Sequence, residues 1–291
     1  MSEWTIGIIG GSGLYEVEGL EDAQWIAVDT PWGRPSDELL VGRLSGVKFL
    51  FLPRHGRGHR IPPTKVNARA NIDALKRAGC TDLVAISAIG SLREELPPGR
   101  FVIIDQFIDR TFDREKSFFG EGMVAHVSMA EPICERMSGL AAAAAESVGI
   151  EIAKGGCYLA MEGPQFSTRA ESELYRLWGC DVIGMTAMPE AKLAREAELP
   201  YALVGMVTDY DCWRPATKAV EVAAIIAQLS ANAENARNLV AALARMLPAE
   251  RSPSPIDKVL DSALITAPAA RDPVMLARLD AVCGRALKAQ R

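Results

Sequence analysis

Apolar and polar positions change period along this chain so as to predict strands and helices in alternation. Thr5–Ile9 is almost wholly apolar, which predicts a buried strand running into the turn Gly10-Gly11-Ser12-Gly13. Residues 24–52 alternate around the turn signals Pro31-Trp32-Gly33 and Ser45-Gly46, predicting strands joined by hairpins. Helical spacing over Val66–Ala78 stops at Gly79. Short apolar strands are expected at Asp82–Ile86 and Phe101–Ile104. Residues 109–123 keep neither period and read as a long loop, a class that is often functional.

The second half predicts a helix over Met129–Val148 and a strand over Gly156–Met161. A helix over Thr168–Trp178 follows, opened by Thr168 and Glu171 at capping-box spacing. Next come a strand at Asp181–Met185, a helix at Pro189–Glu198 with proline at its start, and a buried strand at Tyr201–Val207. An Ala-rich helix covers 217–246. Strands alternating with helices imply an α/β fold, a mixed, mostly parallel sheet flanked by helices on both faces. After Leu247, prolines at 248, 253, 255, 268 and 273 break the chain into short pieces, with a helix expected over 274–289. The division is therefore a domain over 1–247 and a helical tail over 248–291, which packs on that domain or on a neighbouring subunit.

The 291 residues are 49% hydrophobic, enough for a sizeable core. A net charge of -5 without any Lys/Arg-rich block excludes a general nucleic-acid binder, so any phosphate must be captured locally. No basic leader precedes an apolar segment, and no run approaches a membrane span. The expectation is a protein of the cytoplasm. Six scattered cysteines without a Cys-x-x-Cys pair, and three histidines, argue against a zinc site or a disulfide framework.

Candidate chemistry concentrates at predicted strand ends. Thr208-Asp209-Tyr210-Asp211-Cys212-Trp213 follows a buried strand. Carboxylates there must be paired, hydrogen-bonded or protonated, and a purine could engage both, through N7 and the exocyclic amine of adenine. A helix-capping Asp209 with a solvated Asp211 accounts for the run equally well. The glycine turn at 10–13 suits a phosphate, or nothing; it lacks the spacing of a dinucleotide site. In Pro53-Arg54-His55-Gly56, the Arg54 fork can grip a phosphate with two parallel N–H groups and His55 can donate a third. A solvated basic loop is the alternative. Ser87, the Ala88 amide and Thr186 add small donors. In Glu162-Gly163-Pro164-Gln165-Phe166-Ser167, Phe166 could stack on a base, or belong to the core. Glu162 could hold sugar hydroxyls or orient another side chain.

Taken in order, the chain resembles the 5'-methylthioadenosine phosphorylases of the trimeric purine nucleoside phosphorylase family. The resemblance rests on Gly10-Gly11-Ser12-Gly13, Arg54-His55-Gly56, Ser91-Leu92-Arg93-Glu94-Glu95 and Asp105-Gln106-Phe107-Ile108-Asp109-Arg110-Thr111. It continues through Met129-Ala130-Glu131-Pro132, Glu162–Ser167, Met188-Pro189-Glu190 and Thr208–Trp213, and covers residues 5–246. It implies a purine nucleoside phosphorylase-like fold, a homotrimer or a dimer of trimers, inorganic phosphate as co-substrate, and no cofactor or metal. The phosphate site is implied to be Ser12, Arg54, His55, Ser87, Ala88 and Thr186. Met185 is implied under the ribose, Phe166 and Ser167 at the purine, and Asp209 and Asp211 at N7 and N6, with a protonated Asp209 as general acid. Val222 and Ile225 match positions lining a methylthio pocket, and His126 one contributed to a neighbouring subunit.

The implied reaction is phosphorolysis of 5'-methylthioadenosine. A phosphorylase for 5'-methylthioinosine or other 6-oxopurine nucleosides is the alternative, and a non-catalytic nucleoside-binding protein a third. An Asn usually stands at position 209 in the 6-oxopurine members. Two departures stand out. Ser12 and Ser87 replace threonines common in relatives, and Gly184 replaces a larger polar residue.

Overall fold

The computed structural model describes residues 3–11, 13–214 and 222–289, the last stretch without the side chains of residues 222–227. Among the described residues eleven strands form one sheet: β1 (Thr5–Gly10), β2 (Glu21–Ile26), β3 (Leu39–Leu44), β4 (Val47–Pro53), β5 (Asp82–Ser91), β6 (Phe101–Ile103), β7 (Gln106–Asp109), β8 (Ile152–Lys154), β9 (Cys157–Ala160), β10 (Val182–Gly184) and β11 (Tyr201–Asp209). The order is β2-β3-β4-β1-β5-β10-β9-β7, with β11, β6 and β8 branching from β5. The hairpins β2–β3 and β3–β4 are antiparallel, as the alternation between 24 and 52 predicts. The pairs β1–β4, β1–β5, β5–β11, β6–β8, β7–β9 and β9–β10 are parallel.

β5 is the hub, and it is longer than its apolar run suggested. It continues through Ser87 to Ser91, because β11 pairs with it from Leu83 to Gly90. On its other edge β1 covers the first half, and β10 runs antiparallel against Gly90 and Ser91. Ser87 and Ala88 are thus mid-strand residues.

The helices are α1 (Ala68–Arg77), α2 (Glu135–Ser147), α3 (Arg169–Leu177), α4 (Ala187–Glu196), α5 (Val222–Met246), α6 (Pro273–Arg278) and α7 (Asp280–Ala289). The capping box of α3 forms as read, with Thr168 Oγ1 accepting from the Glu171 amide and Glu171 Oε2 accepting from the Thr168 amide. α2 begins six residues later than its periodicity implied. Pro132 biases the residue before it toward extended backbone, and Cys134 takes the cap position. The tail helix expected over 274–289 is divided at the fully buried Leu279.

The tail packs on its own domain. Leu260, Leu279, Val282, Cys283 and Ala286 belong to the same buried cluster as Leu75, Leu193 and Tyr201. Arg285 ties α7 to the buried Glu198 and to Asp261 at 2.6 Å each. Residues 124–126 are also stitched to the tail, with the His126 amide donating to the Ala263 carbonyl. Among the described residues, no helix is long and apolar enough to cross a membrane.

Candidate active site

A cavity of about 320 Å³ opens where β1, β4, β5, β10 and β11 converge. Its lining brings together Arg54, His55, Ser87, Ala88, Phe166, Met185, Thr186, Asp209 and Asp211, residues spread over 150 positions of the chain. Such a volume lies at the lower end of the range for small-molecule sites. Ser12 and the side chains of Val222 and Ile225 lie outside the described residues. Ser167 is not in the lining; its hydroxyl donates to Met161 Sδ at 3.3 Å. His126 is exposed and lines a separate surface depression with Lys116, Lys192 and Glu196.

At one end of the cavity the strand geometry gathers donors. β10 approaches β5 from the opposite direction, so Thr186, just beyond its end, lies over mid-strand Ser87, with hydroxyls 2.9 Å apart. Gly184 is needed for this packing. A Cβ there would sit 2.1 Å from the Tyr158 hydroxyl, which accepts the Thr186 amide at 3.3 Å. The absence of a larger residue at 184 is therefore filled by Tyr158.

Arg54 follows β4 and is 2% exposed. Its fork does not face the cavity freely, as the sequence suggested. Nε and Nη2 donate to the two Glu190 carboxylate oxygens at 2.9 and 3.0 Å. Nη1 and Nη2 also donate to the carbonyls of Ile86 and Ile9. Arg54 carries five N–H groups, and bonds among the described residues occupy four, so a bidentate grip on an anion is replaced by one remaining vector plus charge. Glu190 holds the Tyr201 hydroxyl as well, at 3.0 Å.

His55 also differs from expectation. Nδ1 lies 2.9 Å from the Ile61 carbonyl, an acceptor only, so the proton of the neutral ring is at Nδ1 and Nε2 is an acceptor. Burial, then the charge of Arg54, pushes the imidazole down to about 4. The neutral ring cannot donate a further bond to an anion. The His55 backbone amide, which has no acceptor among the described residues, can. The His59 ring stacks on His55 with centroids 4.3 Å apart and also lines the cavity.

At the other end stand the two acids. β11 bulges between Val207 and Asp209, placing Thr208 out of register, and bulges re-aim side chains in this way. Asp209 accepts from the Thr208 hydroxyl and from the Asp211 amide, both at 2.7 Å. Asp211 sits at φ 52°, a left-handed conformation that Asp tolerates, closed by its amide bond to the Asp209 side chain. A residue larger than glycine at 90 would meet Asp209 Oδ1 at 3.2 Å, so β5 leaves room for the pair.

Burial raises the Asp211 carboxyl, and the charge of the neighbouring Asp209 adds to the shift. The Ser172 hydroxyl lies near enough to oppose that shift without an aligned hydrogen bond, so Asp211 Oδ2 is buried with no partner among the described residues. Phe166 borders the cavity 55% exposed, so it is not a core aromatic.

Two supporting residues were not given a role by the sequence. Glu190 was legible only as part of Met188-Pro189-Glu190, although a Glu among uniformly buried neighbours over 187–191 demands a cationic partner. Arg114 lies in the loop over 109–123, where no periodicity marked it. Glu162 orients this arginine, its Oε1 accepting from Arg114 Nε at 2.9 Å.

Residues 5–245 match the family model described as the phosphorylase superfamily. The chain is 65% identical over 285 residues to the S-methyl-5'-thioadenosine phosphorylase of Cereibacter sphaeroides, covering 97% of this chain and 98% of that protein. It resembles a crystal structure of a methylthioadenosine phosphorylase sourced from an antarctic soil metagenomic library, with a TM-score of 0.92, 44% identity, and coverage of 97% and 99% of the two chains. It also resembles the methylthioadenosine phosphorylase of Schistosoma mansoni in complex with adenine, with a TM-score of 0.79, 38% identity, and coverage of 86% and 93%.

Proposed function

The chain belongs to the phosphorylase superfamily, and from that premise we infer that it catalyses phosphorolysis of S-methyl-5'-thioadenosine, forming adenine and 5-methylthioribose 1-phosphate. Full-length similarity to proteins bearing that activity supports the reading. The observation that carries it is the division of one cavity into a donor-rich end and a two-acid end, with Met185 also in its wall.

In this reading phosphate occupies the first end. The Ser12, Ser87 and Thr186 hydroxyls, the Ala88 and His55 amides and the Arg54 charge hold it beneath the anomeric carbon. Arg54 acts chiefly as a fixed charge, since Glu190 holds its fork. The N-glycosidic bond lengthens toward an oxocarbenium-like sugar over Met185, and the departing purine takes up negative charge. Phe166 packs on the purine, with Ser167 nearby. Asp209 faces N7 and delivers the proton, while Asp211 accepts from the exocyclic amine. A bond from the adenine amine to the Asp211 carboxyl favours its ionised form. A 6-oxo group would place an acceptor against the same carboxylate, which favours adenine over hypoxanthine nucleosides. The reaction uses inorganic phosphate and calls for no cofactor or metal.

The finer proposals are a cytoplasmic homotrimer, or a dimer of such trimers, with His126 reaching a neighbour's methylthio pocket beside Val222 and Ile225. Light scattering over a concentration series tests the assembly, and a fully active monomer would refute the shared site. The activity is tested by following adenine release from S-methyl-5'-thioadenosine with and without phosphate. Release without phosphate would indicate hydrolysis. Binding without release would indicate a nucleoside-binding protein, and faster turnover of 5'-methylthioinosine a 6-oxopurine phosphorylase.

A further inference from the structure

The loop over residues 109–123 carries a buried arginine that reaches the cavity wall from outside. The Arg114 side chain is 6% exposed. Its Nη1 donates to the carbonyls of Met185 and Met188 at 2.6 and 2.8 Å. Its Nη2 donates to the Glu162 carbonyl at 2.5 Å and, at 3.4 Å, to that of Met161. With Nε on the Glu162 carboxylate, all five N–H groups are engaged. Glu162 closes the clamp, its Oε2 accepting the amides of Phe112 and Asp113 at 2.6 and 3.2 Å. Three segments meet there: the loop, the end of β9 and the turn from β10 into α4.

That turn needs outside support. Its first helical residues have no side-chain cap, Thr186 lies at φ -120° and ψ -22°, and Met188 leaves helical geometry at φ -115° and ψ 134°. The carbonyls of Met185 and Met188 therefore flank a stretch whose backbone the helix ladder does not fix. Thr186, between them, carries the hydroxyl that meets Ser87. Arg54, Arg114, Thr186 and Glu190 also line one small cavity beside the main one. A buried ion pair contributes little net stability compared with apolar packing, so the bonds to the turn are the feature of this clamp that bears on the site.

We propose that Arg114, oriented by Glu162, is a positioning residue for phosphorolysis: it holds the turn from Met185 to Met188 so that the Thr186 hydroxyl meets phosphate and Met185 meets the sugar. This rests on the phosphorylase reading above. It goes beyond that reading because neither residue touches the reactants. The clamp acts on the phosphate and sugar side, whereas Asp209 and Asp211 hang on the β11 bulge, which Arg114 does not contact.

The test is Arg114→Lys, whose ammonium has three N–H groups on one atom and cannot span a carboxylate and four carbonyls. Measured by steady-state phosphate titration, kcat/KM for phosphate should fall about 10²-fold, the scale of a misplacement of about 1 Å at a reacting centre. Adenine affinity, measured by calorimetry on the same protein, should stay at its wild-type value. Wild-type kcat and phosphate KM in a folded Arg114→Lys protein would overturn the proposal. So would an equal loss of adenine affinity, which would mark a general structural role. Should the lysine variant not fold, Glu162→Gln removes the charge at nearly constant shape and carries the test under the same criteria. Absence of phosphate-dependent adenine release in the wild type would sink the phosphorylase reading instead.

Discussion

The two ends of the cavity are built on opposite principles. At the phosphate end, side chains are already bonded to other groups of the protein: Arg54 to Glu190, Ser87 to Thr186, and His55 to the Ile61 carbonyl. Arg54 there is 2% exposed. At the base end, Phe166 is 55% exposed and Asp211 Oδ2 is buried without a partner among the described residues. The first end is preorganised, so little rearrangement is required to hold an anion. The second leaves an exposed ring and a raised carboxyl whose interactions the protein has not fixed. Affinity for phosphate should thus depend on protein–protein bonds, and selectivity for the base on protein–ligand bonds.

The sharpest break of that contrast is Glu190→Ala. It leaves the Arg54 guanidinium buried and unpaired and deprives the Tyr201 hydroxyl of its acceptor. Loss of one partner of a buried pair costs about 3–5 kcal/mol. Urea unfolding should show a destabilisation of that size, and phosphate KM should rise. A variant as stable as the parent would mean that the phosphate end is not held by this pair.

The ends should also answer acid with opposite signs. The His55 imidazole is lowered to about 4 by burial and by Arg54. The unfolded chain therefore takes up that proton first, and stability falls as pH drops from about 6.5 toward 4, by about 3 kcal/mol. Asp211 is raised by burial. Its contribution is fully present below the unfolded value of about 3.9 and is lost as pH rises through its folded value. Stability curves between pH 4 and 8 should show that His55→Gln removes the acid-side loss and Asp211→Asn the loss on raising pH. Identical curves for both variants would erase the distinction.

Base selectivity gives a smaller effect. Asp209→Asn replaces the proton-delivering acid with an amide, whose NH2 can also donate to a 6-oxo group, and should shift the kcat/KM ratio of methylthioadenosine to methylthioinosine toward the 6-oxopurine. A mismatched buried group costs about 1–3 kcal/mol, so the ratio should move by one to two decades, to order of magnitude. An unmoved ratio would remove Asp209 from the base site. Smallest should be Phe166→Ala, whose exposed ring contributes about 0.5–1.5 kcal/mol of stacking. Nucleoside KM should rise several-fold while phosphate KM holds, and a change confined to phosphate would put Phe166 at the wrong end.

The sequence by itself determined the alternation of strands and helices, the capping box at Thr168, and the places where chemistry gathers. Hydrophobic period and short-range hydrogen bonding are local, so they survive in a linear reading. It could not determine that β5 runs on through Ser87, because only pairing with β11 extends a strand past its apolar run. The partner of Arg54 lies 136 residues away, and the Arg114 clamp reaches groups 47 to 74 residues away. Which donors remain for a ligand is decided by what the protein's own carbonyls and carboxylates have already taken. The same holds for Asp211, whose carboxyl is raised by a burial that nothing in its sequence neighbourhood announces. Desolvation depends on every segment packed around a group, and that is a property of the tertiary structure alone.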